Sequence, residues 1–254
     1  MDYVKLGHSG LDVSRICLGC MSFGAAEKWV HQWVLDEENS RPIIKKALEL
    51  GINFFDTANV YSMGASEEIL GRALKDYANR DEIVLATKVH QRMHEGPNGA
   101  GLSRKAIMSE IDKSLKRLGT DYVDLEMLPL CREEKIGVTP YSPLASGRLT
   151  RDWSETTHRS KTDQIQKSKY DATAEADRLV VDRLAAIAEN HGVPRSYIAI
   201  AWLLQKEPVI APIIGATKMS HLEDAVRALS VKLTSEEMAF LEEPYVPHPI
   251  VGHH

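Results

Sequence analysis

Cysteine is scarce, with three residues in 254. Two of them stand close together, in Cys17-Leu18-Gly19-Cys20. A redox pair belongs at a helix start. This one closes a strand-like run from Val13 to Leu18. A zinc site needs a second pair of ligands, and only Cys131 and scattered histidines remain. The pair is therefore expected to be structural. The ten histidines show no ligand spacing, and His253 and His254 read as tail. Long apolar runs are missing too, and none approaches the ~20 residues of a membrane span. An excess of positive charge is also absent. The formal net charge of -5 argues against a nucleic acid or an anionic membrane as partner. The start, Met1-Asp2-Tyr3-Val4-Lys5, lacks the charged-then-apolar pattern of a signal peptide, so a cytoplasmic location is expected. No G-x-G-x-x-G follows a strand, which leaves a Rossmann site without support.

What is there is ordinary for a globular chain: 43% hydrophobic and 26% charged residues, enough for one large domain. Tyr3–Leu6 and Leu11–Ser14 flank Gly7-His8-Ser9-Gly10, which reads as a β-hairpin. Strands and helices then alternate. Ile16–Gly19 is a short apolar strand. Ser40 and Pro42 open a helix that Gly51 closes. Ile52–Phe55 is the next strand, Ser66 caps a helix to Tyr77, and Ile83–Thr87 is a third strand. Ser103 caps a helix carrying Ile107, Ile111, Leu115 and Leu118 along one stripe, and Gly119 ends it. Tyr122–Leu125 begins another strand, and Ile136–Pro140 is a further one. A polar stretch runs from Thr150 to about Thr173. Helices are expected near Ala174–Asn190 and Arg195–Lys206, with a strand at Pro212–Gly215. Ser220 with Glu223, and Thr234 with Glu237, read as capping boxes of the last helices. Buried apolar strands alternating with helices imply a parallel sheet, most simply a closed (β/α) barrel.

One constellation carries chemistry. Asp56 ends the strand of Phe54-Phe55, Tyr61 lies five residues on, and Lys88 ends the next strand. A barrel gathers its active site at that face, from neighbouring strand ends. A tyrosine with a pKa of about 10 is a poor acid at neutral pH. A nearby ammonium lowers that value, and a carboxylate keeps the ammonium charged and in place. The tyrosine can then give a proton to a carbonyl oxygen as hydride arrives. The plainer alternative stays open: Asp and Lys at strand ends often form a structural ion pair, and a loop tyrosine is common. Trp29, Trp33 and Trp153 lie in long loops, where they either wall a pocket for small aldehydes or pack the loops themselves.

The run from Gly51-Ile52-Asn53-Phe54-Phe55-Asp56-Thr57-Ala58-Asn59-Val60-Tyr61-Ser62 to Ser66-Glu67-Glu68-Ile69-Leu70-Gly71-Arg72-Ala73-Leu74 strongly resembles the aldo/keto reductase signature. Leu18-Gly19-Cys20-Met21, Ala86-Thr87-Lys88, Tyr122-Val123-Asp124-Leu125, the segment Tyr141 to Leu149 and Pro212 to Thr217 match in family order. The chain looks like the branch that holds bacterial general aldehyde reductases and potassium-channel β-subunits. The resemblance implies an eight-stranded (β/α) barrel with an N-terminal hairpin and one domain over 1–254, with 1–125 forming its first half. It implies Tyr61 as proton donor, with Asp56 and Lys88 in support. It implies NADPH as cofactor and a small carbonyl compound as substrate. Gly19 and Met21 fall in the cofactor segment after the first strand. Tyr141 matches the residue that stacks on the nicotinamide, and a flat ring suits a flat heterocycle. Ser142, Leu144, Gly147 and Arg148 match the segment lining the pyrophosphate. Gly215, Lys218, His221 and Asp224 match the adenosine end. Lys218 and His221 suit a 2′-phosphate, which favours NADP over NAD; the alternative for Lys218 is a solvated charge before a helix. Asp224-Ala225 departs from the family's usual Glu-Asn pair.

The pattern breaks after Leu125. In relatives this strand continues into a catalytic histidine, and two further units supply a Ser-Asn pair and a Gln that hold the nicotinamide carboxamide. Here Glu126-Met127-Leu128-Pro129-Leu130-Cys131-Arg132-Glu133-Glu134 follows at once, resembling the end of the family's sixth helix. About two to two and a half βα units are absent, on the order of 70–80 residues at ~30 per unit. Pro129 falls at the histidine's place, and proline donates no hydrogen bond. Two readings are open: an internal deletion, or residues missing from the sequence as written. A real deletion leaves ten residues, Glu126–Lys135, for the crossover. A contracted barrel or an open sheet is expected, and open edges favour self-association.

Overall fold

Short strands that are apolar at every position need cover on both faces, and a parallel sheet supplies it. A computed structural model of the protein describes residues 1–7, 9–123, 125–126, 138–155, 157, 163–206 and 209–246. Strands β1 (Tyr3–Lys5) and β2 (Asp12–Ser14) form the expected antiparallel hairpin, with Tyr3 opposite Ser14. Then follow β3 (Cys17–Gly19), α1 (Glu37–Glu49), β4 (Phe54–Asp56), α2 (Ala65–Tyr77), β5 (Val84–Thr87), α3 (Arg104–Leu118) and β6 (Leu125–Glu126). Later come α4 (Gln164–Tyr170), α5 (Ala174–His191), α6 (Arg195–Leu204), β7 (Ile213–Gly215), α7 (Met219–Arg227) and α8 (Ser235–Glu242).

The five longer-range strands form one parallel sheet in the order β6-β5-β4-β3-β7. The first strand of the alternation thus pairs with the last, as in a (β/α) barrel. On the side of β7 away from β3, Val138 bridges Val209 and the Pro140 carbonyl accepts from the Ile213 N–H at 2.9 Å. Among the described residues nothing pairs this segment with β6. Period-2 alternation sorts the strand side chains. Cys17, Phe54, Val84, Ala86 and Ile213 join Leu6 and Val13 of the hairpin in one apolar cluster. Leu18, Phe55, Leu85 and Ile214, one residue on, are buried on the other face.

Contacts divide the chain into two units, Met1–Tyr141 with Pro208–Val226, and Ser142–Glu207 with Arg227–His254. The first holds the sheet. The second is helical, with Leu184, Ile187 and Ala188 of α5 packed with Ile198, Ala199 and Ala201 of α6 and with Leu233 and Leu241.

Helix ends follow local chemistry, with three departures from expectation. Ser103 caps α3 by accepting from the Ala106 N–H, Gly119 ends it in a left-handed conformation, and Thr234 with Glu237 forms a capping box on α8. Helix α1, however, starts earlier than Ser40. Asp36 accepts from the Asn39 N–H at 3.0 Å and opens the helix, leaving Pro42 inside it. Ser66 does not cap α2, because Gly64 takes that place and the Ser66 hydroxyl turns to the Cys20 carbonyl at 2.7 Å. Ser220 lies inside α7, and Glu223 pairs with Lys46 at 3.3 Å. The stripe of α3 also differs. Its fully buried residues are Ala106, Glu110, Ser114 and Leu118, whereas Ile107, Ile111 and Leu115 are half-buried.

Candidate active site

Asp56 and Lys88 share a face because each continues an alternation: Phe54 to Asp56 on β4, and Val84 through Ala86 to Lys88 just past β5. The register sets Asp56 opposite Ala86, so the two chains end side by side. Lys88 Nζ donates to both carboxylate oxygens of Asp56 at 2.7 Å and to the Thr57 carbonyl at 2.9 Å. Two short contacts from one ammonium make a charge-assisted pair, in which burial pushes the Asp56 carboxyl above its ordinary range and the charge of Lys88 draws it back. Nζ also stands 5.3 Å from the centroid of the Tyr61 ring. The acid, the amine and the phenol thus meet at the C-terminal end of neighbouring strands.

The loop that presents Tyr61 is held in an unusual backbone. Ser62 and Met63 have φ of 49° and 54°, and Gly64 follows at 96°. Two adjacent non-glycine residues in the left-handed region are costly and persist only where the surroundings enforce them. Part of the enforcement is visible: a β-carbon on Gly24 would lie 2.0 Å from the Ser62 hydroxyl, so the loop sits directly against a glycine. Trp29 meets the Tyr61 ring edge-on, with centroids 6.1 Å apart. His31 lies between Trp29 and Trp33, at 5.8 and 5.0 Å. Trp29 therefore packs its loop and lines the Tyr61 ring at the same time, whereas Trp33 packs the loop through His31. Trp153 packs its own loop in the second unit, with Arg148 over its ring and its indole N–H donating to the Arg148 carbonyl at 3.0 Å.

Electrostatics correct one expectation. Burial pushes the Tyr61 phenol above its ordinary value; the charge of Lys88 draws it down, and Asp56 raises it again. The ammonium's pull was expected to win, but the phenol is shielded from water and its charged form pays for that first. Burial alone would lower Lys88, yet the charges of Asp56 and Tyr61 together hold it above its ordinary value. Burial likewise pushes up both thiols of the Cys17 and Cys20 pair, which are free and fully enclosed. That environment suits a structural role and works against thiolate chemistry.

The expected cofactor residues divide between the units. Gly19, Met21, Tyr141, Gly215, Lys218, His221 and Asp224 lie in the first, and Ser142, Leu144, Gly147 and Arg148 in the second. Gly19 has a packing reason of its own: a β-carbon there would lie 2.7 Å from Ile213 Cγ2. Tyr141 is 71% exposed. Lys218 is exposed just before α7, and His221 accepts at Nδ1 from the Thr217 N–H at 3.3 Å. Ala225, where the family has Asn, is buried. In the second unit, Ser142, Ala145, Ser146 and Gly147 all have positive φ. Arg148 pairs with Asp171 and lies over the rings of Trp153 and Tyr170, while its Nε is buried with no hydrogen-bond partner among the described residues.

The sequence model of the aldo/keto reductase family matches this chain twice, over residues 15–127 and 125–245. The chain belongs to the aldo/keto reductase family. It is 33% identical to the versiconal hemiacetal acetate reductase of Aspergillus parasiticus, over 98% of each chain. It is 32% identical to the aldo-keto reductase dtxS3 of Metarhizium robertsii, over all of this chain and 93% of the relative. An aldo-keto reductase of Fusarium vanettenii is 30% identical, again over all of this chain and 93% of the relative. Membership supports an oxidoreductase that acts on small carbonyl compounds. It also locates the break. The two matches meet at 125–127, and the first alignment runs over 342 positions against a chain of 254 residues. The join thus falls where it was expected, after Leu125, and the fold is a (β/α) barrel short of about two βα units. Pro129, Cys131 and most of the Glu126–Lys135 crossover lie outside the described residues.

Sequence reasoning missed the polar residues beneath the site. Asn59 Nδ2 donates to Glu110 at 3.1 Å, Thr57 and Ser66 share a hydrogen bond of 3.0 Å, and Glu67 is fully buried. A signal existed: Glu110, Ser114 and Arg117 recur at helical spacing on α3, a polar stripe beside the apolar one.

Proposed function

We propose that this aldo/keto reductase reduces small aldehydes or ketones to alcohols with NADPH in the cytoplasm, with Tyr61 as proton donor. The meeting of Asp56, Lys88 and Tyr61 at the sheet's C-terminal end carries the proposal. When bound, the nicotinamide supplies a hydride to the carbonyl carbon. Tyr61 donates its phenolic proton to the carbonyl oxygen, which becomes the product hydroxyl. Lys88 faces the phenolate left behind and stabilises it, and Asp56 keeps Lys88 charged and in place. Tyr61 then regains a proton from water. The phenol is held above its ordinary value and is protonated through neutral pH, and its proton leaves as Lys88 takes up the charge of the phenolate.

The residues present suit an anionic dinucleotide. The unpartnered Arg148 Nε is a buried donor of the kind a pyrophosphate satisfies, together with Ser142, Leu144 and Gly147. The exposed ring of Tyr141 offers a stacking face. Gly19 and Met21 complete the nicotinamide side of the proposal. Gly215, Lys218, His221 and Asp224 would hold the adenosine end, and Lys218 before α7 is the basis for NADPH over NADH. The test is NADPH-linked reduction of a simple aldehyde by the chain and by Tyr61→Phe. A loss of about 10²–10⁴ in rate is expected, with cofactor affinity unchanged. A Phe variant that keeps most of the activity assigns the proton elsewhere.

One observation favours a second reading, nicotinamide binding without turnover. The join at 125–127 omits the segment that carries the family's histidine. NADPH binding by a chain that gives no turnover with any simple aldehyde would establish it.

A further inference from the structure

Glu67 is a charged residue with a fully buried side chain, and both of its oxygens are used. Oε1 accepts from the Thr87 hydroxyl at 2.7 Å, and Oε2 accepts from Arg117 Nε at 2.6 Å. Arg117 donates in turn to the Ser114 hydroxyl at 3.1 Å. The partners are what matter. Thr87 immediately precedes Lys88. On the other side, Arg117 Cδ and Nε lie 2.6 and 2.9 Å from where a β-carbon on Gly64 would sit, so Arg117 is packed against the end of the Tyr61 loop. Ser66, next to Glu67, is bonded to Thr57, the residue after Asp56. The first turn of α2 therefore touches the neighbours of all three proposed catalytic groups.

We infer that Glu67 and Arg117 are a positioning pair, which fixes Lys88 through Thr87 and the Tyr61 loop through Gly64. This rests on the reading of Tyr61, Lys88 and Asp56 as the acid set. Stability alone is a poor reason for the pair. Removing both charges from water is costly, and apolar replacements of a buried ion pair are often neutral or stabilising. What the pair supplies is fixed geometry. Its bonds span 20 residues to Thr87 and 50 to Arg117, so one side chain locks three elements together. Two adjacent left-handed residues between Tyr61 and Gly64 would relax without such a wedge.

Thr87→Val is the sharpest test, since it keeps the shape and the ion pair and removes one hydrogen bond. The groups that act on the Tyr61 titration are Lys88, Asp56 and Cys20. If Lys88 loosens, its pull on the phenol weakens. The Tyr61 titration, read as the tyrosinate difference absorbance between each protein and its Tyr61→Phe partner, should then rise by about half a pH unit. In the same variant kcat should fall about tenfold while KM and NADPH affinity change by less than about twofold, because misplacement weakens the transition state more than binding. Thr87→Ser should restore both readouts. The double variant Glu67→Gln with Arg117→Met, which leaves no lone buried charge, should show the same titration shift. A folded Thr87→Val with unmoved titration and unmoved kcat overturns the inference. The titration needs no turnover, so it stands apart from the functional reading, which falls instead if Tyr61→Phe leaves turnover intact.

Discussion

The two flanks of the parallel sheet differ in how completely they are packed. Around β3, β4 and β5 every strand has a neighbour on both sides, and α2 lies between α1 and α3. At the β6 end, among the described residues, β6 has one strand neighbour and α3 packs substantially against α2 alone. The consequence is written on α3. Met108 is 53% exposed, and Ile107, Ile111 and Leu115 are left half-buried, although an amphipathic helix would normally hide such a stripe. The finished flank carries Asp56, Tyr61 and Lys88, and the unfinished one is where the family sequence joins at 125–127. On the proposed mechanism, proton donation and carbonyl orientation are therefore separable in this chain: the groups proposed for the first belong to units that are present, and those the family resemblance implies for the second to units that are not.

The largest expected contrast is in packing. Leu70, fully buried on α2, should cost about 2–5 kcal/mol as Leu70→Ala, as large-to-small core changes do. Leu115→Ala on the open side of α3 should cost about 1 kcal/mol or less, because its contacts are already incomplete. Equal losses in urea unfolding would erase the difference between the flanks. Next comes Lys88→Met. It leaves the Asp56 carboxylate buried beside no cation, at about 3 kcal/mol in the same assay, and a loss under about 1 would show that the pair is dispensable to the fold. A smaller effect is expected at Lys218, which is exposed. Lys218→Ala should weaken NADPH by about tenfold and leave NADH unchanged, and equal affinities throughout would remove the basis for NADP preference. The mildest effect is on pH dependence. On the proposed mechanism reduction needs protonated Tyr61, so the rate should stay level through neutral pH and fall only as the pH rises past about 10. A fall near neutrality would mean that a different acid, or a phenol pulled down by Lys88, sets the profile.

Much of this was legible in the sequence wherever the signal was local. The hairpin, the strand ends at Asp56 and Lys88, the Ser103 and Thr234 caps and the left-handed Gly119 all depend on a few adjacent residues. The errors arose where distant partners competed, or where a second local signal outweighed the first. Ser66 has the composition of a cap, but Cys20 and Thr57 claim its hydroxyl from elsewhere in the chain. Asp36 opens α1 ahead of the Ser40 and Pro42 signal because the side chain of Asn39 and its N–H both reach it. The Glu67 ion pair was invisible for the same reason, its two ends lying 50 residues apart. The rise of the Tyr61 phenol depended on how deeply the loop is buried, which spacing does not report. The break after Leu125 was legible because both sides match the family so well.

The central claim is that the proton-donating groups are intact while the carbonyl-orienting part is missing. It is tested by measuring kcat/KM for one simple aldehyde, side by side, with the 254-residue chain and with a version in which the family's missing units are reinserted at 125–127. Poor orientation and the loss of one hydrogen-bond donor predict a gap of about 10² or more. Tyr61→Phe should silence the restored protein. Values within about tenfold of each other would contradict the account and would mean that Asp56, Tyr61 and Lys88 suffice by themselves.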